Sequence, residues 1–202
     1  MRAFAVLALA CLGAAPAPSP VEIAVLAEIN RVRADPAAYA TDLRAYRTHF
    51  RGRIVRYPGN PEGLITSEGV RAVDEAIGVM SRQSALPAVS PAPLLAMAAR
   101  DHVVEQGPRG ATGHESRNGD RAAARVARHG GGGYVAEVIT YGPPSAAEVV
   151  RQLIVDDGVP GRGHRRILLA AEFRHAGVSC GPHKRYRVMC VVVFGRNPDG
   201  RP

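Results

Sequence analysis

The stretch "DDGVPGRGHRRILL", Asp156 to Leu169, sets two acids ahead of a Gly- and Pro-broken loop, then a histidine, two arginines and an apolar turn. Elsewhere "GATGHESRNGD" places His114 on a Gly-rich loop, and "AEVITYG" places Glu137 on a strand among apolar residues. Neutral imidazoles ligate divalent cations such as zinc, and carboxylates either join them or orient the rings. Two histidines and a strand carboxylate from distant segments are either one shared cleft or three unrelated polar residues; spacing alone leaves both open. The histidines do not sit at i and i+4 on a helix, so no metalloprotease motif is present. No Ser or Cys stands beside a general base in a familiar nucleophile motif, and Ser116 lies in a loop.

The remaining histidines read as structural. His102 lies mid-helix among apolar residues and is expected to be a satisfied core histidine. His129 ends a helix, where a cation is mildly favoured. His175 and His183 border a hairpin and are expected at the surface. Arg165 and Arg166 are assigned to helix carbonyls or acids, with no catalytic role.

The elements that must position these groups are mostly helices with clear starts. "SPVE" offers Ser19 as N-cap, Pro20 in the first turn and Glu22 to close a capping box. Asp35-Pro36 starts a second helix, and Val70, Val73, Ile77 and Met80 form a third apolar stripe. A helix from Ser90 to Gly107, a short one capped by Asp120, and one with a Ser145–Glu148 capping box follow. "RGRIVRYPGNPEG" is expected to be a basic loop or a short edge strand. "GGGG" at 130–133 reads as a flexible joint. "YVAEVITYG" reads as a strand, and "RHAGVSC" with "YRVMCVVVFG" as a hairpin. The sum is an α+β domain, helices packed on a mainly antiparallel sheet.

Composition fits one domain with a sizeable core: 202 residues, 46% hydrophobic and 22% charged. The net charge is +8, almost all of it arginine, since Lys184 is the one lysine. With no Trp, four Phe and six Tyr there is no stacking platform, so no specific nucleic-acid partner is expected. "MRAFAVLALACLGAAPA" has a basic start, an apolar run and small residues, so 1–17 is expected to be a signal peptide with Pro18 as the mature start. Ordinary secretion ranks above lipid attachment at Cys11, because "ALA" is a poor lipid box. The mature chain has no segment apolar for long enough to span a bilayer. A secreted or periplasmic location follows, and Cys180 and Cys190 are then expected to pair as a disulfide. Strands meeting symmetrically about Arg185 set those two cysteines opposite one another.

The ordered set "GHES", "AEVITYG", "DDGVPGRGHRRILL", "AGVSC", "MCVVVFG" resembles the CAP superfamily. That superfamily comprises cysteine-rich secretory proteins, antigen-five venom allergens, plant pathogenesis-related proteins and bacterial exported proteins. "LLAMAARDHVVEQ" resembles its helix with a buried histidine, and Ile29 to Arg33 resembles its opening Asn-x-x-Arg. The resemblance implies an α-β-α sandwich over one domain, 18–202, with a core at about 86–195 and an N-terminal helical extension at 19–85. It implies a cleft tetrad of His114, Glu137, Asp156 and His164, Asp157 being the other candidate for the second acid. His114 and His164 would hold zinc or another divalent cation. Ala136 and Val138 replace the family's Gly and Asn, Leu153 stands nearest its Trp, and "DDGVPGRGH" is longer than the common connection. The region from His49 to Ala85 reads as an insertion.

Two function classes follow. One is a non-enzymatic secreted module binding a divalent cation, a lipid or a partner such as a cell-surface component. The other is a metal-dependent hydrolase, with zinc on two histidines and Glu137 as base. A third reading is adhesion to acidic cell-surface polymer through the arginine excess.

Overall fold

The computed structural model describes residues 17–58 and 60–202. Helix α1 (Pro20–Ala34) starts as its sequence dictates: Pro20 fills the first turn, and the Ser19 N–H donates to the Glu22 carboxylate at 2.7 Å. Helix α2 (Pro36–Arg47) starts on Asp35, whose side chain accepts from the Ala38 N–H at 2.9 Å. The stretch expected to be a basic loop or edge strand is instead a three-stranded antiparallel sheet. Its strands are β1 (Phe50–Arg51), β2 (Ile54–Tyr57) and β3 (Asn60–Ile65), with Phe50 and Val55 buried. Helix α3 (Val70–Met80) follows, burying Val73 and Met80.

The helix expected from Ser90 starts later. Ser90–Pro91 is a short strand, β4, because the Ser90 and Ala92 N–H groups donate to carbonyls of Arg174 and Ala176; helix α4 runs from Pro93 to Gln106. Helix α5 (Ala122–Arg128) has Arg121 at its N-cap rather than Asp120. The Asp120 carboxylate is taken by Arg128 and Asn118, and its carbonyl by Ser116 N–H. Strand β5 (Val135–Tyr141), helices α6 (Ala146–Val155) and α7 (Gly163–Leu168), and the hairpin β6 (His175–His183) and β7 (Arg187–Gly195) complete the chain. Ser145 caps α6 as expected, accepting from Glu148 N–H.

The main sheet has the order β4-β6-β7-β5, with β4 and β6 parallel and the other pairs antiparallel. Strand β7 is buried on both faces, which is why its sequence is an unbroken apolar run rather than an alternating one. Cys190, Val192 and Phe194 point into the core under α1, α2, α3 and α6; Met189, Val191 and Val193 point into a second core under α4 and α5. The result is an α-β-α sandwich. Residues of α1 to α3 share the first core with the sheet. Cys180 and Cys190 face each other across the hairpin, with His183 opposite Arg187, and are joined as a disulfide. No described helix is long and apolar enough to cross a membrane.

Further expectations are overturned. The "GGGG" segment is a close crossing, not a joint: Gly132 and Tyr134 N–H groups donate to Asp199 and Gly200 carbonyls, and a Cβ on Gly131 would lie 2.4 Å from the Asp199 carbonyl oxygen. His183 is buried, not superficial. Its Nε2–H donates to Ala111 O at 2.7 Å and its Nδ1 accepts from Tyr186 N–H at 3.1 Å, so the ring ties the hairpin turn to the loop before His114. His175 is half-buried, on β6 itself.

Candidate functional site

His114 is held by a clamp on the residue before it. Gly113 has φ +102°, a conformation that suits glycine. Its carbonyl accepts from His102 Nε2 and Gln106 Nε2, both at 2.9 Å, and its N–H donates to Tyr141 Oη at 2.9 Å. Tyr141 in turn donates to Gln106 Oε1 at 2.7 Å, closing the ring of contacts. His102 is thus buried in the core as the sequence suggests, but it is only half satisfied, since its Nδ1 is buried without a partner among the described residues. Burial lowers its pKa and keeps it neutral with the proton on Nε2.

Glu137, buried on β5, faces His114. Its Oε1 lies 2.9 Å from His114 Nδ1, and its Oε2 accepts from the buried Arg125 guanidinium. Burial pushes the Glu137 carboxyl up, but His114 and Arg125 more than offset this and hold it below its ordinary value. Arg125 also donates to the carbonyls of His114 and Asp120. Sequence reasoning missed Arg125. Its signal is an arginine on the buried face of α5, beside Ala122 and Val126, which demands a buried acceptor nearby.

Asp156 and His164 form the other half. Helix α6 ends on Asp156 in the left-handed conformation, φ 56°, which turns its carboxylate back onto the first turn of α7. Oδ1 lies 2.6 Å from His164 Nδ1, and Oδ2 accepts from His164 N–H at 2.9 Å. Asp157 points the other way, accepting from Ser67 and Glu68 N–H groups. Arg165 donates to the Ile154 and Val155 carbonyls and pairs with Glu75.

The His114 and His164 ring centroids are 6.4 Å apart. An ionised carboxylate can only accept, so each Nδ1 is the donor to its carboxylate, and the neutral form of either ring would offer its Nε2 lone pair to a ligand. Both rings line one cleft of about 540 Å³. Its other wall, also missed from sequence, is Tyr46, Phe50, Tyr57 and Leu64, part of it from the β1–β3 sheet. Arg151 lies 4.2 Å from the Tyr46 ring centre and 4.7 Å from that of Tyr57. Burial pushes the Tyr46 hydroxyl up to about 12, so it stays a neutral donor. Among the described residues, no cluster of three or more His, Cys, Asp or Glu side chains converges to hold a metal. Any ion here would have two protein ligands.

No curated protein matches this chain. Among solved structures, an outer surface protein from Borrelia burgdorferi is similar at 14% identity and a TM-score of 0.44, over 71% of this chain and 97% of that one. Residues 26–194 match the model of the CAP family, described as the cysteine-rich secretory protein family, and the chain belongs to that family.

Proposed function

We propose that the protein is an exported, non-enzymatic binding module that takes a divalent cation between His114 and His164. The segment expected to be its signal, 1–17, lies outside the described residues apart from Ala17. The observation that carries the reading is the paired arrangement of rings: each Nδ1 is tied to a buried carboxylate and each Nε2 is left for a ligand. Such carboxylate–imidazole pairs fix the tautomer and raise ligand basicity. A bound cation would supply Lewis acidity and an anchor for an anionic group. The hydrolase alternative needs Glu137 as base, yet both its oxygens are engaged and its pKa is lowered, so the reading gives it a bracing role.

Calorimetric titration with Zn²⁺ tests this. His164→Ala and His114→Ala are each expected to weaken binding roughly 100-fold or more, beyond the ~10–100-fold that losing a ring's supporting partner costs. Protons compete for the same nitrogens, so affinity should fall on acidification. Binding unchanged in both variants sinks the reading.

A lipid is a second ligand class with a specific observation behind it. A groove of about 730 Å³ lies between α1 and α4, lined by Ile23, Leu26, Met97 and Val178, with the exposed Arg100 beside them. Mostly apolar walls with Arg100 beside them suit an acyl chain with an acidic head, and the one acid of the lining, Glu22, is engaged by the Ser19 and Cys180 N–H groups. A fluorescent fatty acid should bind, and Met97→Trp should block it; equal binding to both proteins discards the lipid reading.

A further inference from the structure

The connection from Asp156 to Arg162 and the segment 67–75 are about 90 residues apart in sequence and joined through Asp157, Gly158 and Arg162 on one side and Ser67, Glu68 and Glu75 on the other. The Asp157 carboxylate accepts from Ser67 N–H at 2.6 Å and Glu68 N–H at 2.8 Å. Glu68 returns the contact: Oε1 accepts from Gly158 N–H at 2.8 Å and Arg162 Nη1 at 2.6 Å, and Oε2 from Arg162 Nη2 at 2.8 Å. Arg162 also donates from Nε and Nη2 to Glu75 Oε2, at 2.9 and 2.7 Å, and from Nη1 to the Asp156 carbonyl at 2.8 Å. Arg162 and the Gly158 amide hold the Glu68 carboxyl down to about 2.

Asp156 and Arg162 both have positive φ, 56° and 52°. Aspartate visits that conformation fairly readily, but an arginine adopts it only where its surroundings hold it there. At Asp156 the left-handed turn is what aims the carboxylate at His164, and Arg162 holds the carbonyl of that same residue. The connection 156–162 and the start of α3 with the residues ahead of it are thus matched to each other. Neither Arg162 nor Glu68 lines the cleft.

We propose that Arg162, braced by Glu68 and Glu75, is the positioning residue for the Asp156–His164 half of the cleft. Segment 67–75 thereby sets the tautomer of His164 without touching the ligand. This rests on the reading of His164 as a cleft ligand.

The test uses the full ¹⁵N-labelled chain. Long-range ¹H–¹⁵N spectra of the histidine rings distinguish Nδ1–H from Nε2–H, and Zn²⁺ titration runs in parallel. In the wild type His164 should be the Nδ1–H tautomer. Arg162→Gln should convert it to a mixture and raise the Zn²⁺ Kd roughly tenfold, leaving the His114 ring signals in place. Arg162→Lys should not rescue, because an ammonium cannot form the fork to two carboxylates. Glu68→Gln, a milder change, should act in the same direction and decides the matter if Arg162→Gln does not fold. An unaltered Nδ1–H signal for His164 in the folded variants overturns the proposal. A wild type that binds no Zn²⁺ defeats the ligand reading instead, and the ring spectra still judge the positioning role.

Discussion

Arg125→Met is expected to destabilise the protein by about 3–5 kcal/mol at neutral pH, the cost of removing one partner from a buried ion pair. The Arg125 side chain is fully buried and that of Glu137 is 4% exposed. In the variant a buried carboxylate keeps only His114 as a charged or polar partner, and the His114 and Asp120 carbonyls lose a donor. The pH dependence gives a sharper check. In the wild type Glu137 lies below its ordinary 4.5. Its contribution is therefore fully present above the unfolded value of about 4.3 and is lost as pH falls through the folded one. Without Arg125 the burial effect dominates and the carboxyl rises, so the variant takes up a proton and is relieved on acidification. The stability gap between the two proteins should narrow between pH 7 and about pH 4.5. Arg125→Met with Glu137→Gln should regain part of the loss, since the charge is gone. Urea unfolding of the three proteins at both pH values measures this. A gap that stays constant with pH means the carboxylate is not what Arg125 stabilises.

What was legible in the sequence was local chemistry. Ser19 with Glu22, Asp35 with Ala38, and Ser145 with Glu148 are caps whose partners lie three residues away, so the sequence carries both ends of each contact. The Cys180–Cys190 pairing was legible because a hairpin's register follows from its turn. Residue type and resemblance single out His114, Glu137, Asp156 and His164 as candidates, and the structure brings His114 to Glu137 and Asp156 to His164. The contacts that hold those residues were not legible. The sequence points His183 to the surface because its partner, the Ala111 carbonyl, is 72 residues away. The four glycines suggested freedom, whereas small size there admits the C-terminal backbone. Segment 67–75 shows in sequence only an amphipathic helix; its acids pair with Arg162, in a stretch whose sequence draws attention to its acids and its histidine rather than to that arginine. A carbonyl acceptor leaves no trace in a sequence, since every residue has one.

Arg33 is the extreme case, and Arg33→Met is expected to cost about 4 kcal/mol. The side chain is fully buried and makes no contact with a carboxylate among the described ion pairs. Its guanidinium donates to four carbonyls instead: Pro87 at 2.8 Å, Leu168 at 2.7 Å, Ala170 at 3.0 Å and Phe173 at 3.1 Å. Helix α7 ends at Leu168, so one of these is an orphan carbonyl of a helix C-terminus, where the backbone dipole favours a cation, and Ala170 lies just past that end. Burial and the nearby charge of Arg174 lower the Arg33 pKa, but a guanidinium starts high enough to stay ionised. Leaving a buried acceptor unpaired costs about 1–3 kcal/mol each. Even if half of the four find water or relax, the loss stays near the figure given. Arg33→Lys supplies three donors from one point rather than a planar fork, and should lose about 2 kcal/mol. Denaturant unfolding with an unchanged m-value gives both numbers. A loss under about 1 kcal/mol for Arg33→Met would mean the four carbonyls are readily hydrated, and that α1 does not hold the end of α7. The expected outcome ties the first helix to the helix that carries His164, which makes residues 19–34 part of the support of the cleft.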